Sequence, residues 1–204
     1  PSRLGCVGID IPEDKKKYMP ERLLRYKDNY VVYVGRISNG KNFRELNRFF
    51  LEYKQRNMSD LKLIVVGKMD DGIKINHSTG VQTCALPIFT GFVSDDELTA
   101  IIQNAKLLIN PSLFESLSLV ILESMAASRP VLVNGKCEVM KGQCIRSNAG
   151  LYYTNYFEFE AALNYMLNNE DAYYQMCNNG LNFVENNYSW NNIVENVSSL
   201  IEEM

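Results

Sequence analysis

Tyr30-Val31-Val32-Tyr33-Val34-Gly35 and Leu61-Lys62-Leu63-Ile64-Val65-Val66-Gly67 are two short apolar runs, each closed by glycine. Both are β-branched and lack the length of a helix, so each reads as a strand buried on both faces. Between them, Phe43, Leu46, Phe49, Phe50 and Tyr53 recur at helical spacing within residues 42–57. Strand, helix and strand in that order, with strands apolar throughout, predict a parallel sheet covered by helices.

The alternation continues outward from this unit. Ser94-Asp95-Asp96-Glu97 is a capping box that opens a helix over 94–105. Residues 105–110 (AKLLIN) read as a strand stopped by Pro111, and 118–127 as a helix. Residues 130–134 (PVLVN) and 149–153 (AGLYY) read as further strands. Three helices follow, over 156–168, 171–187 and 190–203, with Asn155 and Ser189 as N-caps. The expected architecture is an α/β, doubly wound parallel sheet of Rossmann-like type. Residues 1–29, with Pro12, Pro20 and a Lys15-Lys16-Lys17 run, read as a linker and a short helix ahead of one domain over 30–204.

Composition narrows the function. The 204 residues are 46% hydrophobic and 22% charged, with a net charge of -3. That balance attracts neither nucleic acid nor an anionic membrane, so any anion site has to be built locally. No apolar run reaches the ~18 residues of a membrane span. The Pro1-Ser2-Arg3-Leu4-Gly5 start has neither an initiator Met nor a signal-peptide core, and reads as a cut end. The five cysteines have no zinc or redox spacing and read as reduced thiols, pointing to the cytoplasm.

Residues 80–88 (GVQTCALPI) follow neither a helical nor a strand period. With Thr79, they resemble the translation of a common sequencing-adapter oligonucleotide. They are read as foreign sequence, which denies Cys84 and Pro87 an evolved role and makes any strand over 86–89 an accident. His77, beside them, has no catalytic reading.

In such a sheet, ligands bind beyond the C-terminal strand ends. After the first strand come Gly35-Arg36 and then Lys41 at a helix start, two cations beside free N–H groups. A diphosphate is the natural guest. After the fourth strand, Glu115 and Glu123 stand eight apart, the first in a loop and the second a turn into a helix. A carboxylate only accepts hydrogen bonds, so beside a diphosphate its partners are vicinal hydroxyls. A nucleotide sugar carries such hydroxyls on its hexose and on its ribose.

The order Gly35-Arg36…Lys41, Phe89-Thr90-Gly91-Phe92-Val93, Glu115…Glu123 and Pro130-Val131-Leu132-Val133 resembles the C-terminal, donor-binding domain of GT-B glycosyltransferases of the retaining family 4 (group 1). The Tyr188-Ser189-Trp190 start of the last helix is similar too. The resemblance implies a hexosyltransferase of polysaccharide biosynthesis acting on a UDP- or GDP-sugar, without metal, since no Asp-x-Asp triplet occurs. It implies catalytic roles for Arg36 and Lys41 on the diphosphate and for Glu115 on the sugar. Glu123 would take the ribose, and Phe92 and Val93 would border the base. Gly35 and the backbone of Ser116, Leu117, Ser118, Leu119 and Val120 would complete the donor site. The acceptor, a glycan or a lipid-linked sugar, and any peripheral membrane contact would belong to a missing N-terminal domain, leaving this piece inactive alone. The family's Glu-Gly-Phe-Gly is here Glu115-Ser116-Leu117-Ser118, which narrows the backbone freedom of the phosphate loop. A non-catalytic nucleotide-binding module of the same fold is the alternative.

Overall fold

The computed structural model describes residues 7–12, 18–70 and 86–202. Lys15 to Lys17, His77, Thr79 and residues 80–85 of the adapter-like stretch lie outside the described residues.

Six described strands form one parallel sheet: β1 (Tyr30–Val34), β2 (Lys62–Val66), β3 (Ile88–Gly91), β4 (Leu108–Asn110), β5 (Val131–Asn134) and β6 (Gly150–Tyr153). Their order across the sheet is β3-β2-β1-β4-β5-β6. The chain therefore winds one way from β1 to β3, crosses back over, and winds the other way from β4 to β6. The reversal lies between β1 and β4, where the segments leaving the two strands diverge and open a crevice.

Helices α1 (Phe43–Asn57), α2 (Asp95–Gln103), α3 (Leu119–Ala126), α4 (Glu138–Ser147), α5 (Tyr156–Asn168), α6 (Glu170–Tyr188) and α7 (Trp190–Glu202) complete the described elements. Alternate residues of β1 serve different cores. Tyr30 and Val32 pack with Ile101, Ile121, Leu122, Met125 and Met140 of α2, α3 and α4. Val31 and Tyr33 pack with Phe43, Phe50, Phe159 and Leu163 of α1 and α5. Two-sided burial explains why β1 and β2 are almost continuously apolar rather than alternating. The capping box of α2 forms as expected: Glu97 N–H donates to Ser94 Oγ at 3.3 Å.

Several boundaries differ from the sequence reading. Helix α4 had no signal, because Gly142 and Lys141 interrupt its apolar face and Cys137, its N-cap, makes no side-chain cap. Strand β4 begins at Leu108, not 105, because Ala105 and Lys106 are still in the turn leaving α2. Ile88, assigned to the foreign stretch, pairs with Ile64 in the sheet, and Phe89 pairs with Val65. The segment before β1 does more than link. A 3-10 helix spans Glu21–Tyr26, and Ile9, Met19 and Leu23 join the core. Ile9 N–H donates to the Tyr188 carbonyl at 2.8 Å, and Gly8 lies against the indole of Trp190.

At the rim carrying the crevice, backbone meets backbone. Gly67 has φ +134°, and a Cβ there would lie 2.1 Å from the Gly35 carbonyl oxygen. Left-handed strain and overpacking act together, so Gly67→Ala is expected to cost roughly 3 kcal/mol of unfolding free energy in urea denaturation. Gly40→Ala, whose nearest neighbour would be Ser38 Oγ at 3.9 Å, serves as the control and should stay within about 0.5 kcal/mol.

Candidate functional site

The turn leaving β1 is shaped by its own strand. Tyr33 is buried in the sheet, and its hydroxyl donates to the Arg36 carbonyl at 2.8 Å, folding the chain back toward α1. Burial, with the charge of Glu115 nearby, holds the Tyr33 hydroxyl well above its usual pKa, so it remains a donor. The returning loop delivers Lys41 to the mouth of the crevice.

The opposite wall is the loop from β4 to α3. Asn110, buried at the strand end, grips both ends of this loop. Its Oδ1 accepts from Ser112 N–H at 3.1 Å, and its Nδ2 donates to Ser118 Oγ at 3.1 Å. The Pro111 carbonyl accepts from the side-chain amides of Asn42 and Asn134, both at 3.2 Å. Glu45 Oε1 accepts from the same two amides, at 2.8 and 3.2 Å. The loop is thereby tied to the start of α1 and to the end of β5, and Glu115 is carried on a braced arch.

Between the walls lies a cleft of about 320 Å³. Tyr33, Val34, Gly35 and Lys41 line one side. Asn110, Glu115, Leu117, Ser118, Leu119, Val120 and Glu123 line the other. Lys41 Nζ donates to Glu115 Oε1 at 2.7 Å, with the Glu115 side chain only 14% exposed. Glu123 borders both this cleft and a neighbouring hollow between α2 and α3 that contains Asp95. Partial desolvation of its carboxyl is the larger influence and the charge of Asp95 the smaller; both raise its pKa above the usual carboxylate range.

Not every expected residue converges. Arg36 follows Gly35 at the rim but turns outward, 71% exposed, with Nε 3.9 Å from Asp70 Oδ1. The turn after β1 pairs there with the turn after β2, through Ile37 and Met69, which brings Asp70 alongside. Phe92 is exposed and Val93 lies in the core, so neither lines the cleft. Ser116 is exposed and does not line the cleft. The sequence reading missed Tyr33, Asn110 and Asn134. The signal for the two asparagines was present: LLIN and VLVN are apolar strands that each end in a buried amide.

A larger hollow, about 560 Å³, lies at the opposite rim between Asp28, Lys106, Arg129 and Tyr173. Arg129 is already occupied there, donating to the Gln103 carbonyl and to the Tyr173 hydroxyl. The described cysteines, Cys137, Cys144 and Cys177, are free and buried away from the crevice, and burial pushes the Cys144 thiol up to about 12. Among the described residues, no group of three His, Cys, Asp or Glu side chains could hold a metal ion, and no helix is long and apolar enough to cross a membrane.

Comparison with known proteins meets this geometry. The family profile "Glycosyl transferases group 1" matches residues 14–183. The chain belongs to that family. An uncharacterized glycosyltransferase of Methanocaldococcus jannaschii is 27% identical over 184 residues, covering 87% of this chain and 46% of the relative. The chain thus spans less than half the length of that relative. Among solved structures, Anabaena HepE in complex with UDP superposes with a TM-score of 0.77 at 16% identity, over 97% of this chain and 56% of HepE. The C-terminal domain of a group 1 family protein, LpcC of Francisella tularensis, superposes with a TM-score of 0.69 at 15% identity, over 90% of this chain and 100% of that domain. The fold of this group 1 domain is that of the C-terminal half of a GT-B glycosyltransferase.

Like charge raises a carboxyl pKa, so removing Asp95 should bring Glu123 down. In side-chain carbon NMR titrations, Glu123 is expected to titrate above the exposed glutamates and to fall toward them in Asp95→Asn. A Glu123 midpoint already within the ordinary range in the parent would contradict the environment described.

Proposed function

We propose that this chain is the donor-binding half of a retaining glycosyltransferase of family 4 type, moving a hexose from a UDP- or GDP-sugar to a glycan or lipid-linked acceptor. One observation carries the reading. Lys41, Glu115, Glu123 and the N-terminus of α3 border a single cleft at the switch point of the sheet. That is one cation and one helix N-terminus for a diphosphate, with two carboxylates for two sets of hydroxyls. Membership of the group 1 family supports it, as does a neighbour solved with UDP.

In this reading Lys41 has two partners in turn. One is Glu115, 2.7 Å from its ammonium. A diphosphate offers more charge and competes for the ammonium, and Glu115, released, accepts from the hydroxyls of the transferred sugar. When the glycosidic bond breaks, negative charge grows on the departing phosphate. Lys41 and the free N–H groups of α3 stabilise it without reorganising solvent. Arg36 stands on the same turn, its Nε 3.9 Å from Asp70, and can swing to the outer phosphate oxygens. Cations and helix N–H groups serve here in place of a metal ion. The acceptor would approach from the N-terminal domain of the complete enzyme, across the mouth of the cleft.

The test is turnover by the full-length enzyme. Lys41→Ala should lower kcat by about 10²–10³ with the preferred UDP- or GDP-hexose, the range seen when one preorganised donor to a developing anion is lost. Undiminished turnover would overturn the assignment. Nucleotide binding indifferent to Glu115→Gln, without transfer to any acceptor, would instead mark a non-catalytic module.

A further inference from the structure

Four described helices have a Ser or Asn at an N-cap in extended backbone geometry, and three of these side chains do what such residues ordinarily do. Ser94 accepts from Glu97 N–H in α2, Asn155 from Glu158 N–H in α5, and Asn169 from Ala172 N–H in α6. Each occupies one of the N–H groups that a helix leaves unpaired at its start. Ser118 is the exception. It is the N-cap of α3, with φ -87° and ψ 94°, but its side chain makes no cap bond. Its Oγ accepts instead from Asn110 Nδ2 at 3.1 Å.

We infer that Asn110 is a positioning residue that draws the Ser118 hydroxyl away from its own helix, so that the N–H groups of Leu119 and Val120, which line the cleft, stay open for the donor's phosphates, the Ile121 N–H being taken by the Ser118 carbonyl at 3.2 Å. The inference rests on the donor-site reading given above. Both residues are buried, Asn110 at 4% and Ser118 at 3% exposure, so water does not compete for this bond. Asn110 is itself held, because its Oδ1 accepts from Ser112 N–H, which aims Nδ2 at Ser118. The arrangement answers a problem posed by the sequence. A glycine at the start of α3 has no side chain with which to cap, whereas a serine does, and would compete with a phosphate for the same N–H groups. An asparagine that diverts the hydroxyl restores the opening that the serine would close.

A merely structural bond would make its two ends equivalent; this one should not be. Titration calorimetry with UDP and with GDP, on the chain and its variants, separates the cases. Asn110→Ala frees Ser118 Oγ to cap α3 and should weaken binding of the preferred nucleotide about five-fold, the equivalent of one N-cap bond. Ser118→Ala removes the competing hydroxyl, so on that background Asn110→Ala should no longer weaken binding: the double variant Asn110→Ala/Ser118→Ala should bind within about two-fold of Ser118→Ala, and more tightly than Asn110→Ala alone. Asn110→Leu, which keeps the volume but cannot donate, replaces Asn110→Ala if the latter fails to fold. If the parent binds a nucleotide but the double variant stays as weak as Asn110→Ala, or Asn110→Ala binds like the parent, the inference is overturned and the donor site stands. If the parent binds neither UDP nor GDP, the donor-site reading falls and the inference falls with it.

Discussion

In a parallel sheet every strand ends at the same rim, and a reversal of winding opens that rim at one place. Here the reversal separates the segments leaving β1 and β4, neighbours in the sheet that are joined only through a long detour of chain. All the chemistry of the cleft depends on this constraint. The β1 side contributes a cation and the β4 side contributes carboxylates and a helix N-terminus. Neither segment holds a complete site alone. The close backbone approach of Gly35 and Gly67 at the same rim sets the direction in which the first of them leaves the sheet.

The charges of the site neutralise one another. Lys41 is held by Glu115 and Arg36 loosely by Asp70. A half-buried ammonium without a partner would be costly, and so would a largely buried carboxylate. The ion pair removes both costs and keeps the side chains close to the positions where a nucleotide sugar would need them. The polar brace behind the loop has the same logic. Asn42, Asn134 and Glu45 satisfy the Pro111 carbonyl and one another, so the loop carrying Glu115 has few alternatives.

Much of this was legible in the residues. Strands β1, β2 and β5 announce themselves as β-branched runs, and the long apolar period of α1 needs no tertiary context. Helix α4 was invisible because its burial follows from being pinned between β5 and β6 rather than from its own pattern. The short β4 was overextended because Ala105 and Leu107 are buried in a turn and are apolar for that reason. That Lys41, Glu115 and Glu123 meet at one cleft was legible in their spacing and residue type. The outward turn of Arg36 was not legible, since it depends on the turns after β1 and β2 pairing with each other. The role of Asn110 was equally hidden, since the bond from its amide to Ser118 exists only once the loop is folded.

The central claim is that a nucleotide sugar sits across the ends of β1 and β4, with its diphosphate at α3 and Lys41 and its hydroxyls on Glu115 and Glu123. A crystal structure of the enzyme with its UDP- or GDP-sugar tests this most directly. The account predicts Lys41 Nζ on a phosphate oxygen and the Lys41–Glu115 contact broken. A nucleotide lodged at the opposite rim, against Lys106 and Arg129, with that ion pair intact, would contradict it.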